Sequence, residues 1–267
     1  MGIITATTMT TTKAESMTDL HSHILPGIDD GAKDLQISLE LLRKQYADRV
    51  TQIALTPHFN FERQTLEEFL KVRNRAAQEL GRAFRMSGIP QRMKLGAEVF
   101  YSSEILQTDM RALCLTGTSL LLIEFPPAYY PQEAADVLYQ LTRRGIVPLI
   151  AHVERYAFVR SNPNLLCDLI EAGAYTQMNA TSLMLHRKYQ KLYLRMIQHG
   201  MIHVVGTDTH SPSKRPPMLA DAMKLVEEKC GQQMARRMIE NGAVLFDGKE
   251  PEYLEPRAMR QILGQWI

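Results

Sequence analysis

Nine candidate metal ligands are distributed between residues 21 and 210 of the 267-residue chain. They are His21, His23, Asp30, His58, Glu98, Glu124, His152, Asp208 and His210. Imidazole and carboxylate ligands without cysteine are typical of hydrolases that hold two or more Mn, Fe or Zn ions, and not of cysteine-based structural zinc sites. The set therefore predicts a centre for two or three divalent cations.

Such a centre is suited to the hydrolysis of phosphate esters. A carboxylate that bridges two cations holds them about 3.5–4 Å apart, the usual spacing for two-metal hydrolysis. The cations would activate a hydroxide for in-line attack on phosphorus and would neutralise charge on the phosphoryl oxygens. The ligand types thus favour a metal-dependent phosphatase.

Seven short apolar runs, each followed by a segment of helical periodicity or a polar loop, must position these side chains. The predicted strands are residues 18–21, 52–56, 93–97, 119–123, 147–151, 174–178 and 203–207. The predicted helices are residues 34–48, 65–87, 132–144, 163–172, 181–198 and 218–241, with a further C-terminal helix at 255–267. This α/β alternation predicts a parallel sheet wrapped in helices, as a barrel near the (β/α)7 form or, alternatively, an open doubly wound sheet.

The candidate ligands fall at, or just after, the carboxyl ends of six of these seven strands. The carboxyl ends of the strands in a parallel barrel open on one face, so the nine side chains are expected to converge there. Each residue alone could be a core histidine or a solvated strand end. Their conjunction favours bound cations, because burying so many polar groups without compensation is costly.

Composition narrows the class of protein further. Apolar residues make up 45% of the chain, charged residues 22%, and the net charge is +2, which gives no support for nucleic-acid binding or direct membrane insertion. Three widely spaced cysteines fit a reducing cytoplasm. Residues 1–16 are rich in Thr and are predicted to be a disordered extension, which leaves residues 17–267 as one domain.

One motif suggests a different phosphatase chemistry. Cys230 and Arg236 are spaced as C-x5-R, the pattern of cysteine-dependent tyrosine phosphatases. That chemistry needs a thiolate in a tight anion-binding loop between a strand and a helix. The residues on both sides of Cys230 have helical periodicity and no apolar strand precedes it, so the sequence predicts a catalytically irrelevant thiol near a helix end.

Several strings along the chain resemble one protein family. The string DLHSHILPGIDDGA at residues 19–32 resembles the polymerase-and-histidinol-phosphatase (PHP) superfamily. Further strings are TPHF at 56–59, GAEVFY at 96–101, LIEFP at 122–126, AHVERY at 151–156, TQMNA at 176–180, GTDTH at 206–210 and RPP at 215–217. Together they resemble the bacterial manganese-dependent protein-tyrosine phosphatases of capsule and exopolysaccharide operons.

This resemblance implies a distorted (β/α)7 barrel with two or three divalent cations, Mn²⁺ first and Fe or Zn as alternatives. It implies that Glu124 bridges two ions, one of them held with His21, His23 and Asp208. Their neighbours would be held by the rest of the nine, namely Asp30, His58, Glu98, His152 and His210.

The resemblance also implies that Arg155 and Arg215 bind the substrate phosphate. The alternative roles are an ion pair of Arg155 with Glu154 or Asp168, and a solvated loop cation at Arg215. The implied substrate is a phosphotyrosine-bearing bacterial tyrosine kinase. A small-molecule phosphatase of the histidinol-phosphate type is the alternative function, ahead of a nuclease or a non-catalytic binding module.

Overall fold

Strands and helices alternate along the chain in the computed structural model, which describes residues 16–267. The strands are β1 Met17–Asp19, β2 Val50–Leu55, β3 His58–Phe59, β4 Arg92–Leu95, β5 Glu98–Phe100, β6 Leu120–Glu124, β7 Val147–Ile150, β8 Tyr175–Asn179, β9 Val204–Gly206, β10 Gln261–Ile262 and β11 Gln265–Trp266. The predicted extension at residues 1–16 lies, apart from Ser16, outside the described residues.

Nine α-helices are found within residues 16–267. They are α1 Leu35–Ala47, α2 Leu66–Ser87, α3 Ala134–Arg143, α4 Ala157–Ser161, α5 Leu165–Glu171, α6 Ala180–Leu185, α7 Arg187–Gln198, α8 Leu219–Cys230 and α9 Gln232–Phe246. Short 3-10 turns occupy Ser103–Leu106, Met110–Ala112 and Val153–Arg155. Among these described helices, none is both long and apolar enough to span a bilayer.

The strands form two parallel sheets and a small hairpin. One sheet has the order β1-β2-β4 and the other the order β3-β5-β6-β7-β8-β9, while β10 and β11 pair antiparallel. All seven predicted strands are present, which confirms the α/β fold with parallel pairing. Strands β3 and β5 were not predicted, because they are only two and three residues long and begin just after the predicted strands 52–56 and 93–97 end. These two short strands carry His58 and Glu98 directly into the sheet.

Hydrogen bonds also join the segments that follow β1 and β9, the first and last strands of the two parallel sheets. Ser22 and Thr209 form an isolated parallel bridge, and the amide of Asp208 donates to the carbonyl of His21 over 2.8 Å. Below them the buried carboxylate of Asp19 accepts a 2.9 Å bond from the amide of Thr207. The carboxyl ends of β1 and β9 are therefore held side by side.

Side chains on both faces of the sheets are buried. Along β6, Leu121 and Ile123 belong to the core beneath the helices, whereas Leu120 and Leu122 belong to a second core cluster with Leu149. This alternation follows from the two-residue period of a strand. Burying a leucine of this kind contributes about 1.5–3 kcal/mol, so both clusters fix the strands that carry the candidate ligands.

Three predicted helices differ from the structure for local reasons. The segment predicted as residues 218–241 is split at Gly231, whose φ of +93° is incompatible with a helix, and it extends to Phe246. The segment 181–198 is split at His186. The predicted helix 255–267 is wrong: the chain ends in the β10–β11 hairpin, whose turn residues Leu263 and Gly264 have φ of +49° and +75°.

A buried histidine at the start of the last predicted strand makes the fold sensitive to acid. His203 is 7% exposed and its Nδ1 accepts a 3.1 Å bond from the amide of Thr176. Burial, aided by the positive charge of Arg237, lowers the pKa of His203 from 6.5 to about 4. The unfolded chain therefore takes up a proton as pH falls through 6.5, while the folded protein resists it until about pH 4.

We expect this difference to reduce the free energy of unfolding by about 2 kcal/mol between pH 7 and pH 4.5. A His203→Asn variant keeps an acceptor for the amide of Thr176 but does not titrate. Its free energy of unfolding should therefore fall by about that much less than that of the wild type between the same two pH values. Urea denaturation of both proteins at the two pH values measures the effect. Equal losses in the two proteins would show that His203 is not the acid-sensitive group.

Candidate metal centre

All nine predicted ligand residues lie together in four overlapping groups. Within each group, one nitrogen or oxygen atom per residue lies within 4.8 Å of the others. The groups are His23 with Asp30, His58 and His210; His21 with His23 and Asp208; His21 with Glu98 and His152; and His58 with Glu98 and Glu124. The structure thus brings the whole predicted set to one place.

The strand ends position these side chains. His58 and Glu98 are the first residues of β3 and β5 and are paired with each other in the parallel register. Glu124 is the last residue of β6, and His152 and Asp208 follow β7 and β9. Both of the latter have positive φ values, 32° and 49°, which turn the chain sharply as it leaves the sheet. Such strained backbone in residues other than glycine is concentrated at functional sites.

Glu98 lies at the centre of the cluster. Its Oε2 is 3.2 Å from Nε2 of both His21 and His23, and 3.0 Å from Nδ1 of His58. Its Oε1 is 2.9 Å from Nε2 of His152. Glu124, by contrast, is 22% exposed and no closer than 3.6 Å to the nearest imidazole of the group. These distances favour Glu98 as the shared carboxylate, whereas the sequence resemblance had suggested Glu124.

Hydrogen bonds behind the cluster fix the proton positions on two of its imidazoles. Nδ1 of His21 lies 3.1 Å from Oε1 of Gln177, and Nδ1 of His23 lies 2.8 Å from Oδ2 of Asp29. Both partners are acceptors, so Nδ1 of each histidine carries a proton, and when the ring is neutral Nε2 is the nitrogen with the lone pair. This is the tautomer that binds a metal through Nε2.

The two lone pairs face each other. Nε2 of His21 and Nε2 of His23 are 3.1 Å apart, and Oδ1 of Asp208 is 3.4 Å from both. Within residues 16–267, Oε2 of Glu98 and Nε2 of His210 are buried without a hydrogen-bond partner of good geometry. Neutral imidazoles and carboxylates that converge in this way repel one another, and positive charge at that point, from a proton or a metal ion, removes the repulsion. The residues present therefore fit divalent metal ions.

Electrostatics among the protein groups are consistent with a cation site. Burial favours the neutral form of Glu98, but the surrounding imidazoles, His21 first, outweigh it and hold the pKa of Glu98 well below its usual value. The pKa of Asp208 is lowered in the same way, despite burial, by His21 and His23. Burial opposes protonation of His23, yet Asp29 and Glu98 raise its pKa well above the usual value. The cluster therefore attracts positive charge.

Two arginines lie at the rim of this cluster. Nη1 of Arg155 donates to Oδ2 of Asp208 over 3.1 Å, and Nη2 of Arg215 donates to the same oxygen. Their side chains are 44% and 34% exposed, so part of each guanidinium faces solvent. In the part of the chain that the structure describes, Arg155 forms no ion pair with Glu154 or Asp168, the alternative partners. Both arginines thus border the mouth of the candidate site.

Sequence reasoning missed the residues that hold the ligands in place. Asp29 binds His23 and also accepts from the amides of Gly31 and His58. A Cβ at position 31 would lie 2.2 Å from the carbonyl oxygen of His23, so only glycine fits this turn. The doublet of Asp29 and Asp30 was a signal for a second carboxylate here. Gln177 lies on β8, the one predicted strand with no ligand, and it gave no such signal.

Cys230 is the last residue of α8, and its Sγ donates to the carbonyl oxygen of Leu194. Burial raises the pKa of this thiol to about 11, which is the opposite of an activated nucleophile. Arg236 lies on α9, where it pairs with Glu240. The C-x5-R spacing is therefore spread over two helices.

We expect Cys230→Ser to retain near-full phosphatase activity, because the thiol has no part in the candidate metal centre. The variant's kcat on an aryl phosphate, measured beside its melting temperature, checks this. A collapse of kcat with unchanged fold and metal content would favour cysteine chemistry instead.

Comparisons with known proteins agree with this geometry. A family model described as "Capsular polysaccharide synthesis, CpsB/CapC" matches residues 17–246. The tyrosine-protein phosphatase YwqE of Bacillus subtilis is 33% identical over 234 residues, which cover 86% of this chain and 91% of that protein. The tyrosine-protein phosphatase CpsB of Streptococcus agalactiae is 28% identical over 235 residues, covering 84% and 96% respectively.

Solved structures extend the similarity to the fold. A chain from crystal structures of YwqE from Bacillus subtilis and CpsB from Streptococcus pneumoniae, described as metal-dependent tyrosine phosphatases, superposes with a TM-score of 0.86 at 30% identity. The match covers 92% of this chain and all of that one. Histidinol phosphate phosphatase from Lactococcus lactis has a TM-score of 0.55 at 13% identity, covering 81% and 95%, and this shows a shared fold alone.

Proposed function

Because the chain belongs to the CpsB/CapC family of capsular polysaccharide synthesis, we propose that it is a metal-dependent protein-tyrosine phosphatase. The observation that carries the proposal is the convergence of imidazole Nε2 and carboxylate oxygen atoms from His21, His23, Glu98 and Asp208 beside two rim arginines. Such a site can bind cations on its floor and a phosphate dianion above them.

The distances support an assignment of the nine ligands to three positions. His21, His23 and Asp208 would hold one ion, and Glu124 and His152 a second, with Glu98 shared between the two. Asp30, His58 and His210 would hold a third. Five imidazoles among nine ligands support Mn²⁺, with Fe or Zn as alternatives, over Mg²⁺, which prefers oxygen ligands.

The rim residues would orient the substrate. Bound cations would supply Lewis-acid stabilisation of the phosphoryl oxygens and lower the pKa of water at the site. The fork of Arg155, aligned by Asp208, can donate two parallel hydrogen bonds to phosphoryl oxygens, and Arg215 can donate from the other side of the same carboxylate. A tyrosine leaving group has a pKa of about 10, so it departs with little help from a general acid.

The wider arrangement supports further parts of the proposal. Residues 17–267 would form one PHP domain, a distorted (β/α)7 barrel, and the bridge between Ser22 and Thr209 supports its closure between the first and last strands. The partner would be a phosphotyrosine-bearing bacterial tyrosine kinase of capsule or exopolysaccharide synthesis. The family description supports the capsule context, and the names of the relatives support a phosphotyrosine substrate. Three free cysteines support a cytoplasmic location.

A side-by-side rate measurement tests the substrate class. The Mn²⁺-loaded protein should hydrolyse a phosphotyrosine peptide with a kcat/KM at least about a hundredfold above that for histidinol phosphate, since the phenolate leaves more readily and the peptide offers more contacts. A phosphoserine peptide of the same sequence is the matched control. A preference for histidinol phosphate would favour the small-molecule phosphatase instead.

We expect Arg155→Ala to raise KM for phosphotyrosine by about tenfold or more while leaving metal content unchanged. The guanidinium donates to Asp208 from outside the cluster and would bind phosphate, whereas the cations would be held by other atoms. Steady-state kinetics and direct metal analysis of the purified variant separate these effects. Loss of metal from the variant would instead assign Arg155 a structural role.

A further inference from the structure

The strand β8 contributes no candidate ligand, yet it sends two buried amide side chains towards the cluster. Gln177 is fully buried and Asn179 is 2% exposed. Oε1 of Gln177 accepts from the backbone amide of His152 over 2.7 Å and lies 3.1 Å from Nδ1 of His21. Asn179 contacts a further candidate ligand: its Nδ2 donates to Oδ2 of Asp208 over 2.7 Å.

The two amides are also joined to each other. Nε2 of Gln177 donates to Oδ1 of Asn179 over 2.8 Å, which makes a continuous chain from His152 and His21 to Asp208. This chain of hydrogen bonds begins at the backbone N–H of His152, which can only donate, and ends at the carboxylate of Asp208, which accepts. Every hydrogen bond between these ends therefore has one allowed direction. It follows that Nδ1 of His21 must be the donor to Gln177.

We propose that Gln177 and Asn179 form an amide relay that prepares two ligands of one cation. The relay holds the proton of His21 on Nδ1, so that Nε2 presents its lone pair to the cluster, and it orients the carboxylate of Asp208. Both residues are positioning residues, since they act through His21 and Asp208. This proposal rests on the proposed metal centre but not on the identity of its substrate.

A glycine on the neighbouring strand makes room for the relay. Gly206 pairs with Asn179 in the parallel register of β8 and β9. A Cβ at position 206 would lie 2.9 Å from Nε2 of Gln177 and 3.2 Å from its Cδ. The φ of Gly206 is not positive, so backbone conformation does not require glycine there. A Cβ there fits only if the Gln177 amide moves.

Titration of the metal-free protein with Mn²⁺ alone tests the relay without any substrate. Gln177→Leu and Asn179→Leu should each raise the Kd of Mn²⁺ by about 10–100-fold, the usual cost of removing a hydrogen-bond partner of a metal ligand. Gly206→Ala keeps both amide residues in the sequence but displaces the side chain of Gln177, so it should also weaken Mn²⁺ binding. Calorimetry and the Mn²⁺-dependent rise in melting temperature give two independent readings.

A matched control is the residue that directly precedes Gln177 on the same strand. Thr176 is buried and donates to the carbonyl of Met201, away from the cluster. Thr176→Val should lower the melting temperature of the metal-free protein but leave the Kd of Mn²⁺ unchanged. A similar loss of Mn²⁺ affinity in this control would mean that any damage to β8 suffices, and it would overturn a specific relay.

The double variant of Gln177 and Asn179 provides the sharpest discrimination. If the two amides act as one chain, the double variant should bind Mn²⁺ no more than about twofold more weakly than the worse single variant. Losses that multiply would contradict a relay, as would wild-type affinity in both single variants. Wild-type protein that binds Mn²⁺ but hydrolyses no phosphotyrosine would refute the proposed function. The relay could still be tested, because its test measures only the Kd of Mn²⁺.

Discussion

Exhaustive chelation with EDTA is expected to abolish hydrolysis of an aryl phosphate, and Mn²⁺ is expected to restore it better than Mg²⁺. The reason is the set of ligand atoms: Nε2 atoms of His21 and His23 face each other at 3.1 Å beside two carboxylates, an arrangement that a divalent cation stabilises. Mg²⁺ prefers oxygen ligands in regular octahedral geometry and should bind these imidazoles poorly. The melting temperature should fall with the metal, because the cation binds only the folded state.

The experiment measures rate and metal content on the same sample. EDTA already saturated with Mn²⁺ is the matched control, since it adds the chelator without removing metal. Full activity in protein shown by elemental analysis to hold no metal would rule out the metallophosphatase mechanism. Equal restoration by Mg²⁺ and Mn²⁺ would remove the basis for preferring Mn²⁺.

Replacing the central carboxylate should have the largest effect of any single substitution. Glu98→Gln keeps the size of the side chain but removes its charge and one of its two acceptor oxygens. Because Glu98 approaches four imidazoles within 3.2 Å, we expect a loss of bound metal and a fall in kcat of at least about a hundredfold. That factor corresponds to about 2.7 kcal/mol of transition-state stabilisation.

Two further variants make the measurement specific. Glu124→Gln should lose less metal than Glu98→Gln, because Glu124 lies at the partly exposed edge of the cluster. His186→Ala removes an exposed histidine at the junction of α6 and α7 and should keep both metal and activity. A greater loss of metal in Glu124→Gln than in Glu98→Gln would indicate that Glu124 is the bridging residue. Equal losses at His186 and Glu98 would contradict the assigned architecture.

The main features of the fold were predictable because they depend on local pattern. Runs of four or five residues separated by helical periodicity located seven of the nine strands in the parallel sheets. Six predicted segments overlap eight of the nine described helices, and the short α4 was missed. The errors fall where local pattern is weak. Residues 255–267 contain enough apolar residues for a helix, but contacts such as the bond from the amide of Met259 to Asn164 hold part of this segment extended.

The candidate ligands were predictable for a related reason. Their residue types identify them as ligands, and the direction of parallel strands brings their carboxyl ends to one face. Which ligand is central was not predictable, because it depends on sub-ångström differences among side chains from separate strands. Sequence resemblance pointed to Glu124, whereas the distances place Glu98 between the groups.

The sequence by itself determined the chemical inventory and the strand ends that carry it. Tertiary structure alone decided how that inventory is held: Asp29 and Gln177 set the tautomers of His23 and His21, and Asn179 orients Asp208. These supporting residues have no distinctive spacing, because His21 and Gln177 are 156 positions apart in the chain and meet only when the sheet forms. A hydrogen bond between distant strands is a property of their packing, and no local pattern encodes it.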